Sequence, residues 1–136
     1  MRPEKLIYMD KKLNKVLIVS CMLFSFICCA QKQKFVSCSP EDFSKLLMKT
    51  PGIQLVDVRR PEEFEAGHID KAVLINVQSS DFVRQALSQL DKSKPVAVYC
   101  RSGRRSKDAA GLLVKEGFTV YDLNTGYLGW MEYQSR

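Results

Sequence analysis

The fold is decided by the stretch Pro95-Val96-Ala97-Val98-Tyr99-Cys100-Arg101-Ser102-Gly103. Its first five residues are a continuous apolar run, which is typical of a strand buried on both faces of a parallel sheet. Residues 106–116 have helical character, and Gly117 is placed to end that helix. The stretch therefore predicts a buried strand, a glycine-containing loop and a helix, which together form the basic unit of an α/β fold.

Strands and helices alternate on both sides of this unit. Further strands are predicted at residues 35–38, 53–58, 72–77 and 118–121, and further helices at 61–65, 80–90 and 126–133. Another helix is predicted to begin at Pro40, with Ser39 as its N-cap and acidic residues in its first turn. This alternation predicts a single α/β domain with a parallel sheet.

The composition is that of a folded domain with an unevenly distributed positive charge. The chain has 136 residues, is 46% apolar and 26% charged, and carries a formal charge of +6. One seven-residue stretch holds four basic side chains: Arg101, Arg104, Arg105 and Lys107. A nucleic-acid-binding surface would show a broader basic stripe with interleaved aromatic residues. The cluster therefore indicates a site for a small anion and no nucleic-acid partner.

Residues 1–30 have the layout of a secretory signal. Lys11, Lys12 and Lys15 precede an apolar run of about fifteen residues that ends in small residues. A membrane-spanning helix usually needs about 20 apolar residues, so this run is short for one. Met9 offers an alternative start. We expect an exported protein, either periplasmic or membrane-anchored as a lipoprotein in a bacterium.

The processing of residues 1–30 has three alternatives. Ordinary cleavage after Ala30 would leave residues 31–136 as the mature domain. Acylation of Cys21, Cys28 or Cys29 would make a lipoprotein. An uncleaved signal would be the third form, and membrane contact is expected only through such a lipid or signal.

Cleavage after Ala30 leaves two cysteines, Cys38 and Cys100, which do not make a disulfide framework. His68 is the only histidine, and the cysteines lack metal-ligand spacing, so we expect no metal and no cofactor. Cys38 lies in the first predicted strand and is interpreted as a buried bystander rather than a thiol that resolves Cys100.

Cys100 is the candidate nucleophile. It follows the buried strand and precedes a helix, and ligands of open α/β sheets bind at the carboxyl ends of strands. A helix N-terminus offers unpaired N–H groups and partial positive charge, and Gly103 lets the loop curl around one point. These features favour the thiolate, which is the nucleophilic form. The alternative is a buried structural thiol beside a solvated basic loop.

Two stretches resemble the rhodanese family. Residues 100–106, Cys-Arg-Ser-Gly-Arg-Arg-Ser, are similar to its active-site loop, Cys-x-x-Gly-x-Arg-Ser. Residues 55–69 are similar to its motif around the second strand. Residues 126–130 match, less closely, a third family segment that has Gly-Gly and a tryptophan. Together the matches cover about residues 35–134 in the family's order and spacing.

The resemblance implies a rhodanese-like five-stranded parallel sheet flanked by helices, and a sulfurtransferase. Cys100 would take a sulfane sulfur from a small anionic donor such as thiosulfate and pass it to cyanide, a thiol or a protein acceptor. The backbone of residues 101–105 would hold the persulfide. The implied binding residues are Arg101, Ser102, Gly103, Arg104 and Arg105, with Arg101 and Arg104 as candidates for binding the donor's charge.

Other residues of the motifs are interpreted as structural support. An ion pair between Arg59 and Glu63 is predicted, with Asp57 near the end of its strand. His68 is expected to orient its segment, since a preformed thiolate needs no strong base. Ser106 is expected to cap the following helix. Tyr127 and Trp130 are interpreted as packing residues.

Three other functions compete with a small-molecule sulfurtransferase. Cysteine phosphatases of related fold place an arginine six positions after the cysteine, where this chain has Ser106, and the shorter loop suits a sulfur atom better. A non-catalytic rhodanese-like binding module would not need Cys100 and the arginines. A persulfide or redox relay for an exported partner protein would use the same residues, so the sequence does not separate it from thiosulfate chemistry.

Overall fold

The computed structural model describes residues 34–136, which form a five-stranded parallel sheet flanked by helices. The strands are β1 (Val36–Cys38), β2 (Gln54–Asp57), β3 (Val73–Leu74), β4 (Val96–Tyr99) and β5 (Val120–Leu123). The helices are α1 (Pro40–Lys49), α2 (Pro61–Ala66), α3 (Phe82–Gln89), α4 (Arg104–Lys115) and α5 (Gly126–Gln134). The order in the sheet is β1-β5-β4-β2-β3, and every pair is parallel. The predicted fold class is confirmed.

Strand β4 lies at the centre of the sheet, between β5 and β2. All four of its residues are buried, as the apolar run predicts. Because side chains alternate along a strand, Val96 and Val98 pack with α3 and α4 in one core cluster. Ala97 and Tyr99 pack with Phe43 of α1 in a second cluster on the other face. The carboxyl end of β4 is therefore held from both faces.

The start of α1 agrees with its predicted signals. Ser39 is the N-cap, and its side-chain oxygen accepts a hydrogen bond from the backbone N–H of Asp42 at 3.2 Å. Pro40 occupies the first helical position, where a backbone N–H is not needed. Phe43, one of the predicted apolar residues of this helix, is completely buried.

The bounds of three elements differ from the predicted ones for reasons that the structure shows. The predicted strand 72–77 contracts to Val73–Leu74 at the edge of the sheet, although the N–H of Ile75 still donates to the Asp57 carbonyl at 2.9 Å. Helix α4 begins at Arg104, two residues early, because the backbone turns at Gly103. Strand β5 begins and ends two residues late, because its pairing with β4 includes the buried, charged Asp122.

Within residues 34–136, no helix has the length and apolar character needed to cross a membrane. The predicted export signal at residues 1–30 lies outside the described part of the chain, so its role stays a prediction.

Candidate active site

Cys100 lies at the carboxyl end of β4 and is almost completely buried, with 1% of its surface exposed. Residues 101–103 lead from it into α4. Gly103 is the N-cap of α4 and has a left-handed backbone, with φ of 100°. Its N–H donates a hydrogen bond to Cys100 Sγ at 3.1 Å. The thiol therefore faces the positive end of a twelve-residue helix.

The loop favours the ionised form of Cys100. Burial raises the pKa of the Cys100 thiol, but the nearby Ser106 hydroxyl and the backbone N–H groups of Ser106, Gly103 and Ser102 favour the thiolate and lower that pKa by more. The net result is a pKa below the ordinary value for cysteine. A thiol with this environment supplies thiolate, the nucleophilic form, at lower pH than a free cysteine.

Ser106 supports the thiol and does not cap the helix, so the predicted capping role is wrong. Gly103 takes the cap position because its left-handed backbone starts α4 two residues earlier, which leaves Ser106 as the third helical residue. The Ser106 hydroxyl is buried and makes no hydrogen bond within ordinary geometric limits among residues 34–136. Its O–H is the group near Cys100 Sγ that helps to lower the pKa of that thiol.

Helix α5 holds the carbonyl groups of the loop. The N–H of Tyr127 donates to the Cys100 carbonyl at 2.8 Å, and the N–H of Leu128 donates to the Arg101 carbonyl at 3.1 Å. Gly126 begins α5 with φ of 64°, and a side chain there would lie 2.5 Å from the Arg101 carbonyl. The close contact between α5 and the loop therefore requires glycine at this position.

Arg105 and Glu63 form the ion pair that joins the loop's helix to α2. The two guanidinium nitrogens of Arg105 each lie 2.8 Å from one carboxylate oxygen of Glu63. Such two-point pairing is the strongest form of an Arg–carboxylate contact. The predicted ion pair between Arg59 and Glu63 is wrong, because Glu63 bonds Arg105 instead.

Arg59 pairs with Asp57, and both side chains are buried. Arg59 Nη2 lies 2.6 Å from Asp57 Oδ2 and 2.6 Å from the Gly67 carbonyl. The guanidinium group also lies 4.4 Å from the centre of the Tyr127 ring. Arg59 therefore connects the end of β2 with the segment after α2 and with α5, the helix whose N–H groups bond the loop carbonyls.

The three arginines of the loop region have different surroundings. Arg101 and Arg104 are exposed, and neither makes a salt bridge within residues 34–136. Ser102 is exposed beside them. The guanidinium group of Arg105 is occupied by Glu63. Arg101 and Arg104 are therefore the two arginines of this set that are available for an anion.

His68 and Cys38 lie away from the contacts of Cys100. His68 is exposed, stacks on Phe64 with ring centres 3.8 Å apart, and has Nδ1 2.8 Å from the Phe64 carbonyl. Cys38 is buried in β1, and burial, followed by the charges of Asp42 and Asp122, raises the pKa of its thiol.

Strand β5 separates Cys38 from Cys100, since it lies between β1 and β4. Two strand spacings place the Cα atoms roughly 9–10 Å apart, beyond the ~7 Å limit for a disulfide. A direct disulfide between the two cysteines would need the sheet to rearrange. Within the described range, no group of three His, Cys, Asp or Glu side chains is arranged to hold a metal ion.

Two residues of the site were missed as functional candidates by sequence reasoning. Lys107 donates to the Gly103 carbonyl at 3.0 Å and lies 3.3 Å from Asp122 of β5. In the sequence Lys107 is only one member of a basic cluster, and Asp122 lies one residue beyond the predicted strand. A charged residue after an apolar run ordinarily indicates the end of a strand, so no local signal places Asp122 in the core.

Glu63→Gln is expected to reduce the acid sensitivity of the fold. Hydrogen bonding from Arg105 lowers the pKa of Glu63 from 4.5 to about 2. Because the folded-state pKa is the lower one, the stabilisation is complete above about pH 4.5 and is lost as the pH falls towards 2. At about 1.4 kcal/mol per pKa unit, its upper limit is about 3 kcal/mol.

The measurement is urea unfolding of both proteins at several values between pH 7 and 3. The free energy of unfolding should fall more steeply with acid in the natural protein than in Glu63→Gln. Glu65→Gln, which alters an exposed side chain of the same helix, is the matched control and should follow the natural protein. Equal slopes for all three proteins would contradict the assigned role of the ion pair.

Comparison with known proteins agrees with this fold. The profile of the rhodanese-like domain family matches residues 39–133. A thiosulfate sulfurtransferase GlpE from Pseudomonas entomophila is 37% identical over 99 residues, which cover 71% of this chain and 85% of that protein. A sulfurtransferase from Allochromatium vinosum is 32% identical over 94 residues, covering 68% of this chain and 85% of that protein.

Solved structures show the same architecture. A rhodanese-related protein from Thermoplasma volcanium aligns with a TM-score of 0.63 and 27% identity, covering 73% of this chain and 93% of that one. The rhodanese-like domain of an Anabaena protein aligns with a TM-score of 0.64 and 28% identity, covering 71% and 74%. A parallel α/β domain with a cysteine loop at the end of its central strand defines this class. The chain belongs to the rhodanese-like domain family, and its relatives support a sulfurtransferase in general.

Proposed function

We propose that this protein is a sulfurtransferase of the thiosulfate type that carries sulfur as a persulfide on Cys100. The observation that carries the proposal is the 3.1 Å hydrogen bond from the Gly103 N–H to Cys100 Sγ, at the positive end of α4. A sulfur atom held there is stabilised as an anion, which suits both a thiolate and a persulfide.

The reaction has two displacement steps. The Cys100 thiolate attacks the outer sulfur of thiosulfate, an S–S bond forms to Cys100, and the S–S bond of thiosulfate breaks as sulfite leaves with the electron pair. Cyanide or a thiolate then attacks the outer sulfur of the persulfide. Thiocyanate or a new persulfide forms, and the Cys100 thiolate leaves in its original state.

Each part of the loop has a role in this proposal. The N–H groups of residues 101–105 surround the transferred sulfur, and the Ser106 hydroxyl favours the thiolate. Arg101 and Arg104 bind the charge of the donor because both are exposed and neither is paired within residues 34–136. Arg105 acts through Glu63 and keeps the start of α4 in place.

The pairing of Arg105 also favours sulfur over phosphate chemistry. A phosphatase loop needs an arginine guanidinium that closes over a tetrahedral anion. Here the guanidinium of Arg105 is held by two 2.8 Å bonds to Glu63, and the next residue is Ser106. The loop therefore lacks a free arginine at the position that a phosphate ester would need.

A protein acceptor is the second candidate, as a persulfide relay. Leu128 is half exposed and its N–H bonds the carbonyl of the exposed Arg101. An exposed apolar side chain, on a residue whose backbone bonds the loop, is suited to contact with a partner protein. This alternative also fits our proposal that residues 1–30 direct export, to the periplasm or to a lipid-anchored position in a bacterium, where a partner would lie.

Incubation of the reduced, full-length protein with thiosulfate tests the proposal. Peptide mass spectrometry should find one added sulfur, about 32 Da, on the peptide that contains Cys100, and cyanide should remove it. Sulfite and sulfate, which have no sulfane sulfur, are the matched controls. No added sulfur on Cys100 of a folded protein would exclude thiosulfate as donor and would favour the relay.

A further inference from the structure

Lys107 occupies an electrostatically unfavourable position. It lies in the first turn of α4, where the helix dipole is positive and disfavours a cation. Its ammonium group does not extend freely into solvent, since Nζ lies 3.0 Å from the Gly103 carbonyl and 3.3 Å from Asp122 Oδ2. Specific contacts with the loop and with β5 therefore offset the unfavourable helix position.

Asp122 is the partner that makes this arrangement unusual. Its side chain is completely buried, and Oδ2 accepts a hydrogen bond from the Ser37 hydroxyl at 2.9 Å. Oδ1 has no hydrogen-bond partner within residues 34–136. A buried carboxylate is costly unless it is paired, and Lys107 is the cation that the described structure places on it.

These contacts converge on Gly103, whose two backbone groups have different partners. The N–H of Gly103 faces Cys100 Sγ, and its carbonyl accepts the Lys107 ammonium. Gly103 has a left-handed backbone that few other residues adopt. With its carbonyl held by a cation, rotation of this residue is restricted, and its N–H stays directed at the sulfur.

We propose that Lys107 and Asp122 form a positioning pair, in which Asp122 holds the Lys107 ammonium and Lys107 holds the Gly103 carbonyl, so that the Gly103 N–H stabilises sulfur anions on Cys100. The proposal deepens the sulfurtransferase function and rests on it. It also assigns Lys107 a task different from that of the exposed arginines, since Lys107 acts on the loop and makes no contact with the donor.

The charged side chains around the loop are paired in such a way that Lys107 or Asp122 can be substituted without breaking another ion pair. The charged side chains from the surrounding elements are Asp57 and Arg59 at the end of β2, Glu63 of α2, Arg105 and Lys107 of α4, and Asp122 of β5, with Arg101 and Arg104 exposed in the loop region. The first four form two closed ion pairs. Changes at Lys107 or Asp122 therefore alter the net charge near Cys100 without disturbing those pairs.

Opposite effects are expected from the two substitutions. Lys107→Met removes the cation and leaves the buried carboxylate, so the pKa of Cys100 should rise, and a rise of one unit would lower the thiolate fraction about tenfold below that pKa. Asp122→Asn keeps a side-chain oxygen that can accept from the Lys107 ammonium, so the ammonium stays on Gly103; the negative charge is lost, and the pKa of Cys100 should fall. The KM for thiosulfate should change little in either variant.

The experiment measures the rate of Cys100 alkylation by iodoacetamide against pH, with the Cys100 peptide quantified by mass spectrometry in the full-length protein. Kinetics with thiosulfate and cyanide accompany it. Lys115→Met, at the other end of α4, is the matched control for loss of a lysine. Lys107→Arg should restore most of the natural profile, because it keeps a cation near the Gly103 carbonyl.

Lys107→Met has a buried unpaired carboxylate and is the variant at risk of unfolding. The double variant Lys107→Met with Asp122→Asn removes both charges and remains testable. Its net charge equals that of the natural protein, but Gly103 is no longer held, so the pKa of Cys100 should still rise and kcat should fall.

Shifts of the Cys100 pKa in the same direction for both single variants, or no shift in either, would overturn the proposal. A rise in KM alone for Lys107→Met would also overturn it, by making Lys107 a donor ligand. Because alkylation does not depend on sulfur transfer, the pKa test keeps its meaning if thiosulfate is not a substrate.

Discussion

Serine in place of Cys100 is expected to abolish sulfur transfer, with a fall in kcat/KM of about a thousandfold or more. A serine hydroxyl stays protonated where the loop ionises a thiol, and oxygen cannot carry the persulfide. The hydrogen bond from the Gly103 N–H to Sγ would then have a neutral hydroxyl as its acceptor. Thiocyanate formation from thiosulfate and cyanide is the measurement.

Cys38→Ala is the matched control for this prediction. Cys38 is buried two strands away, and burial raises the pKa of its thiol, so its loss should leave the rate near that of the natural protein. Thermal unfolding of both variants checks that each is folded. Sulfur transfer that survives in Cys100→Ser and disappears in Cys38→Ala would refute the assignment of the nucleophile.

Gly103→Ala should have the second largest effect, with losses of both stability and activity. A side-chain carbon at this position would lie 2.0 Å from the backbone oxygen of Asn124, and φ of 100° is strained for alanine. The cost is expected to be about 2–4 kcal/mol in the free energy of unfolding. Relief of the clash would move the Gly103 N–H away from Cys100 and slow sulfur transfer.

Gly111→Ala provides a control in the same helix. Gly111 lies within α4, and nothing stands within 4 Å of an added carbon, so alanine should stabilise the protein by about 0.5–1 kcal/mol. Urea unfolding and the thiocyanate assay measure both variants. If Gly103→Ala were as stable and as active as Gly111→Ala, the loop geometry described above would be incorrect.

Much of the fold could be predicted from local patterns. The apolar run before Cys100 predicts a buried central strand because only a strand covered on both faces tolerates such a sequence. Ser39 and Pro40 predict the start of α1 through the requirements of its first turn. The loop at residues 100–106 identifies the family because its glycine, cysteine and arginine occupy fixed positions.

The ion pairs could not be predicted in the same way. The spacing predicts a pair of Arg59 with Glu63, four residues along the chain, but Arg59 bonds Asp57, and Glu63 bonds Arg105 from a distant part of the sequence. The sequence predicts Ser106 as the helix cap, a position that Gly103 occupies. In each case the partner is chosen by how helices pack on the sheet, which local sequence does not specify.

The buried position of Asp122 likewise could not be predicted from the local sequence. The sequence pattern predicts that the last strand ends before the charged residue. In the structure, however, Lys107 from α4 and Ser37 from β1 are partners of Asp122. Only the pairing of β5 with its neighbours brings these side chains together.

The hydrogen bonds from α5 to the loop set an order of events during biosynthesis. A chain emerges N-terminus first, whether from a ribosome or through a translocation channel. Cys100 therefore appears before the segment that fixes its carbonyl and that of Arg101, namely the start of α5. Until residues 126–128 arrive, the carbonyl groups of Cys100 and Arg101 lack these partners. The loop therefore reaches its final geometry only after nearly the whole domain has been synthesised.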